Sequence, residues 1–137
     1  MDLLVQAKAT LLVYVEEDHA LEAGKWRGIL YVLGNDAPRW RACSGPHGKG
    51  PAPKGMYQVA KPTALIHEGN AAYTDPAGNT WFAGIKPSFP TTRSSFGIHP
   101  DGNVPGTLGC IGITEPDTKD VFNFLREAAE PILLFVV

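Results

Sequence analysis

The sequence predicts one mainly β domain with a late helix and a closing strand, and three observations lead there. Short runs rich in β-branched and aromatic residues recur between clusters of turn formers. Glycine and proline are frequent, 15 and 12 of 137 residues, but not periodic, so they mark many turns rather than a fibrous repeat. Near the C-terminus the apolar spacing changes from alternation to that of a helix. A chain of 137 residues fits one domain and buries a core without metal or disulfide staples.

Taken in order, "ATLLVYVEE" (9–17) and "WRGILYVLG" (26–34) read as strands, followed by the shorter "RWRACSG" (39–45). "GMYQVAK" (55–61) and "NTWFAGIK" (79–86) alternate apolar with polar or small residues, the period of a half-buried strand. The connections "GND", "GPHGKGPAPKG", "DPAGN" and "KPSFP" are built from turn formers. Segment 44–55 holds four glycines and three prolines and is expected to be a surface loop or a rim beside a site. "FGIHPDG" reads as a strand running into a turn and "CIGI" as a short strand. In "TEPDTKDVFNFLREAAEP", Val121, Phe124, Leu125 and Ala128 recur at helix spacing. Thr114 is the expected N-cap, with Pro116 and Asp117 in the first turn, and Pro131 ends the helix. "ILLFVV" then has the wholly apolar pattern of a buried strand.

Composition excludes several function classes. Twelve Lys+Arg against 14 Asp+Glu give a net charge of −2, and no basic run or basic–aromatic stripe marks a nucleic-acid footprint. No segment approaches the roughly 20 apolar residues that span a bilayer, so no membrane insertion is expected. The start, "MDLLVQAKATLLVYVEED", has an acid where a secretory signal carries positive charge, and the expectation is cytoplasmic synthesis without a signal peptide. Cys43 and Cys110 are too few for a disulfide framework and fit no zinc spacing. A metal held by His99, Asp101 and Cys110 lacks further ligands at usual spacing, so neither metal nor cofactor is expected.

The chemistry concentrates in "RSSFGIHPDGNVPGTLGCIGIT" (93–114). A thiol becomes a nucleophile when a base takes its proton, and its attack on a carbonyl needs N–H groups aimed at the oxyanion. Gly109, just before Cys110, lets the chain turn sharply, so the N–H groups of both residues can face one hole. His99 falls where strand gives way to loop, a suitable place for a general base. Spacing alone leaves open that Cys110 is core filler and His99 a turn residue. Asp101 either orients His99 or forms the turn. His19 and His67 read as solvated surface residues, His47 borders the cleft, and Trp26, Trp40 and Trp81 read as core.

The order His99, Gly-rich loop, Thr107-x-Gly109-Cys110-Ile111, then a helix and a final apolar strand resembles the L,D-transpeptidase catalytic domain, also called the YkuD domain. "RACSGPHGKGPAPKGMYQV" resembles that family's small-residue turn before its TPxGxY stretch. The resemblance covers roughly residues 8–137. It implies a β-sandwich with one C-terminal helix followed by a closing strand, a single catalytic domain over 1–137. It also implies Cys110 as nucleophile, His99 as base, and Gly109 and Thr107 at the family's motif positions.

Two positions depart from the family pattern. Leu108 stands where many members have histidine, and Gly112 where many have Arg or Asn. Arg93 is therefore expected to supply the charge for a substrate carboxylate, with Thr107, Asp101 and His47 as further substrate contacts. The implied partner is the peptidoglycan stem peptide, cut or joined at an L,D bond through a Cys thioester. The segment "GIHPDGNVPGTLGCIGI" most resembles a compact branch found among phage proteins and type VI secretion effectors. That branch implies action in the periplasm or cell wall after delivery, with an immunity protein or a secretion or phage partner. Two rivals stay open: a papain-like or amidase-type cysteine hydrolase, which has the opposite Cys–His order, and a wall-binding or phage-particle module that keeps the fold with weak turnover.

Overall fold

The computed structural model describes residues 9–18, 27–45, 50–67, 69–102, 107 and 109–137. The strands are β1 (Thr10–Asp18), β2 (Arg27–Val32), β3 (Arg39–Ser44), β4 (Gly55–Val59), β5 (Ile66–His67), β6 (Asn79–Thr80), β7 (Ala83–Pro87), β8 (Phe96–Pro100), β9 (Ile111–Ile113) and β10 (Ile132–Val136). Among the described residues the one α-helix, α1, spans Lys119–Glu127. Eight strands close in the order β1-β10-β4-β7-β8-β9-β3-β2, and β5 and β6 form a separate small sheet. The expected mainly β fold, with a C-terminal helix and a closing strand, is the observed one.

Closure follows from the alternation read in the sequence. In β10, Ile132, Leu134 and Val136 are buried, while Leu133 and Phe135 between them are only partly covered. The same alternation puts Leu12 and Tyr14, Leu30, Tyr57 and Val59, Ile98, and Ile111 and Ile113 into one core cluster. Closing the sheet on itself removes the edges that an open sheet leaves exposed. Two neighbours are parallel, β1 with β10 and β8 with β9; the other pairings in the barrel are antiparallel.

Helix α1 begins at Lys119, later than expected, because residues before it serve another purpose. Thr118 is the N-cap position, but its N–H and hydroxyl both donate to the buried Asp75 carboxylate (2.7 and 2.8 Å). Asp117 Oδ1 instead accepts from the Lys119 N–H at 3.0 Å. Thr114, expected to cap, lies outside the helix and donates its N–H to Arg41 O. The buried stripe is Val121, Phe122 and Leu125, whereas Phe124 is only partly buried against Trp40. Phe122 packs on Trp81, and burying Phe122 and Leu125 contributes roughly 1.5–3 kcal/mol each. Lys61 closes the other end of α1, its ammonium donating to the carbonyls of Leu125, Arg126 and Ala128.

The expected strand 79–86 is split. Asn79–Thr80 pairs with β5, Ala83–Pro87 joins the barrel, and Trp81 and Phe82 lie between. The Trp81 indole N–H donates to Thr118 Oγ1 at 2.8 Å, which ties this break to the start of α1.

Candidate functional site

The site begins with the parallel pair β8 and β9. Their register sets Ile98 beside Ile111 and His99 beside Gly112. Ile98 and Ile111 are fully buried in the core, so their neighbours along each strand point to the outer face. Cys110 directly precedes β9, and its thiol lies by the Ser95 carbonyl and the Gly97 backbone at the start of β8. The parallel pairing of β8 with β9 thus brings the segments that carry His99 and Cys110 side by side. Gly112 stands directly across from His99.

His99 is 4% exposed, and its Nδ1 lies 2.6 Å from Pro100 O. A carbonyl can only accept, so Nδ1 carries the hydrogen and the neutral ring keeps its lone pair on Nε2. Tyr73 packs against the imidazole at 4.4 Å between centroids, and Phe82 stacks nearly parallel to it, 13° between planes. Burial pushes the imidazole below its ordinary value, although the Pro100 carbonyl favours the charged form. The ring is therefore neutral at pH 7.

Neither Cys110, partly buried, nor Cys43, buried, forms a disulfide. Burial pushes the Cys110 thiol up, against a smaller opposite effect from the Gly97 backbone. Its Sγ–H donates to Ser95 O at 3.8 Å. Ser95 has φ of 63°, a left-handed conformation uncommon outside glycine. Thiol and imidazole are both uncharged at rest, so a thiolate forms only when the proton moves.

The backbone before Cys110 is fastened by hydroxyls. Thr107 Oγ1 accepts from the N–H of Gly45 (3.0 Å) and of Gly109 (3.2 Å) and donates to Cys110 O (2.6 Å). Thr107 N–H donates to Gly45 O at 2.9 Å. Thr107, expected as a substrate contact, is 5% exposed and its hydroxyl serves the loop. The Gly109 N–H, expected to face an oxyanion, donates to that hydroxyl. Fully buried Ser44 adds a second fastening, accepting from Ala52 N–H (2.8 Å) and donating to Gly109 O (3.4 Å). Gly109 has φ of 130°, and a Cβ there would collide with the Arg93 guanidinium.

Arg93 lies beside this turn. Its guanidinium donates to Pro51 O (2.8 Å) and Gly50 O (3.1 Å) and sits over the Phe96 ring. It thereby joins the Gly/Pro segment to the backbone of Gly109. Asp101 donates its N–H to Ile113 O, and its carboxylate accepts from the buried Cys43 thiol at 3.6 Å. The Nδ1 partner of His99 is the Pro100 carbonyl, whereas sequence reasoning offered Asp101 for that orienting role. His67 is exposed, Trp40 and Trp81 are core, and His19, Trp26, His47 and Leu108 lie outside the described residues.

Sequence reasoning missed Ser44, Tyr73, Phe82 and Asp75. Ser44 carried a faint signal, a small hydroxyl residue before glycine at a strand end. Tyr73 and Phe82 carried none, since their approach to His99 depends on how residues between β4 and β7 fold back. Asp75 accepts four hydrogen bonds from Asn79 and Thr118. Burial alone would raise its carboxyl, but these donors outweigh that and hold it below the ordinary carboxylate range. Among the described residues no group of three or more His, Cys, Asp or Glu could hold a metal, and no helix is long and apolar enough to cross a membrane.

A family model described as the L,D-transpeptidase catalytic domain matches residues 6–134. No curated protein and no solved structure matches the chain.

Proposed function

Since the chain belongs to the L,D-transpeptidase catalytic-domain family, whose members act on peptidoglycan, we propose that it is a cysteine acyltransferase or peptidase working at an L,D bond of the stem peptide. The reading rests on the parallel pairing of β8 with β9, which brings the His99 strand beside the segment that carries Cys110, and on the lone pair of His99 on Nε2. A neutral imidazole accepts the proton of Cys110, and the thiolate attacks the carbonyl of the third stem residue. The bond to terminal D-Ala breaks, and the proton held by His99 passes to the leaving amine. The thioester then yields to an amine, giving a cross-link or D-amino-acid exchange, or to water, giving carboxypeptidase action.

Oxyanion stabilisation requires donors near 2.7–3.1 Å from the developing charge. The Gly109 N–H is a candidate, and its bond to Thr107 Oγ1, long at 3.2 Å, has to yield for that role. Thr107 and Ser44 act by fixing the turn. Arg93, adjacent to Gly109, offers a guanidinium for a substrate carboxylate, with Asp101 and His47 as further contacts. We take the delivered, antibacterial or phage-type role from the sequence of 93–114, with an immunity or delivery partner following from it.

The second reading, a wall-binding or phage-particle module with weak turnover, draws on the raised Cys110 thiol and its bond to Ser95 O. Incubating muropeptides with the protein and with Cys110→Ala, followed by mass spectrometry, separates the two. Loss of D-Ala or new 3–3 cross-links with the wild type alone supports the enzyme. Identical muropeptides from both proteins support the module.

A further inference from the structure

We propose that Tyr73 and Phe82 are positioning residues of the His99 imidazole, held in place by a buried polar knot centred on Asp75. The inference rests on His99 being the base, and it names what keeps that base in its working orientation.

The two rings reach His99 from either side of the knot. Tyr73 ends a short 3-10 turn, Ala71–Tyr73, whose first N–H groups are held by Asn70. Asp75 follows two residues later; Phe82 comes directly after Trp81. Asp75, Asn79, Thr118 and Trp81 are 4%, 3%, 0% and 2% exposed. Asp75 Oδ1 accepts from Asn79 N–H (2.9 Å), and Oδ2 accepts from Asn79 Nδ2 (3.1 Å) and from Thr118 N–H and hydroxyl. Asn79 Nδ2 also donates to Asp117 Oδ1 at 2.8 Å, and Trp81 donates to Thr118. Every member bonds another, so the knot behaves as one rigid unit joining the segment from Asp75 to Trp81 to the start of α1.

The fit at the ring end is equally tight. A Cβ on Gly97 would collide with the Phe82 ring, so glycine there is what admits the ring against β8 beside the imidazole. A Cβ on Gly102 would collide with the Ala71 and Ala72 backbone, so the turn carrying Tyr73 is seated on the chain just beyond β8. With Nδ1 on Pro100 O and the Tyr73 and Phe82 rings packed against it, the imidazole has little freedom to rotate. Both rings lie against the buried imidazole, whose burial pushes it below its ordinary value.

The test is an NMR titration of the His99 imidazole in the wild type, Phe82→Ala, Phe82→Tyr and Asp75→Asn, with circular dichroism confirming the fold. The titratable groups around the ring are Tyr73 from the turn, Asp101 just beyond β8, and the thiols of Cys43 and Cys110, and Phe82→Ala changes none of them. The imidazole value is expected to rise toward the ordinary one in Phe82→Ala, to rise less in Asp75→Asn, and to stay put in Phe82→Tyr. An unchanged value in folded Phe82→Ala and Asp75→Asn overturns the proposal. If Phe82→Ala does not fold, Phe82→Leu takes its place under the same criterion. No cell-wall substrate enters this readout, so its outcome is separate from that of the muropeptide experiment.

Discussion

Replacing Thr107 by valine keeps the shape of the side chain and removes its oxygen. That oxygen accepts from two N–H groups and donates to one carbonyl, at 3.0, 3.2 and 2.6 Å. Thr107, Gly45 and Gly109 are buried, so the N–H groups freed by the change have little access to water. At roughly 1 kcal/mol for each lost bond, the variant is about 3 kcal/mol less stable. For a chain of this size that lowers Tm by about 10 °C, read by differential scanning calorimetry. Thr107→Ser, which keeps the oxygen and loses a methyl, falls by about a third of that. Cys110 O also loses its partner, so turnover of muropeptides by Thr107→Val drops at least tenfold at temperatures where it is folded. A Thr107→Val protein within about 2 °C of the wild type and equally active refutes the role given to this hydroxyl.

Further consequences follow from neighbouring features. Gly109→Ala must adopt a φ near 130° and displace the Arg93 guanidinium, costing about 2–4 kcal/mol and turnover together; thermal melts and muropeptide assays check both. Arg93→Ala raises KM for stem peptides ending in a carboxylate about tenfold with kcat less affected, and unchanged affinity removes the residue from the substrate site. The rate profile stays flat to below the ordinary imidazole value of about 6.5 and beyond the ordinary thiol value of about 8.5, since burial moves the two groups apart. Stability follows by linkage. The depressed His99 favours the fold above about pH 6.5 and loses that contribution as pH falls, while the raised Cys110 costs stability as pH climbs past about 8.5. Chemical denaturation across pH measures both slopes.

What could be read from the sequence was set by local rules. Strands β1, β2, β4 and β10 announce themselves by alternation and β-branched content, whereas the turn-rich segment after His99 suggests a hairpin and the structure pairs β8 with β9 in parallel. The errors arose where distant residues decide. Thr114 looks like a cap until Asp75, far away in sequence, takes Thr118 and moves the helix start. The run 79–86 reads as one strand until Trp81 turns to α1 and Phe82 to His99. The site was legible as residue types and illegible as hydrogen bonds. Thr107 matched a motif, but only the fold shows its hydroxyl spent on Gly45, Gly109 and Cys110. The His99 ring found its orienting group in the adjacent Pro100 carbonyl, a partner that side-chain chemistry does not advertise.

The central claim is that His99 and Cys110 form an acylating pair, and intact-protein mass spectrometry after acid quenching addresses it most directly. Mixed with a stem tetrapeptide, the wild type is expected to gain the mass of the tripeptide acyl group, mapped to Cys110, with release of D-Ala. Cys110→Ala and His99→Ala gain nothing. A wild-type protein that remains unmodified at every time point, or an adduct that forms equally without His99, contradicts the account.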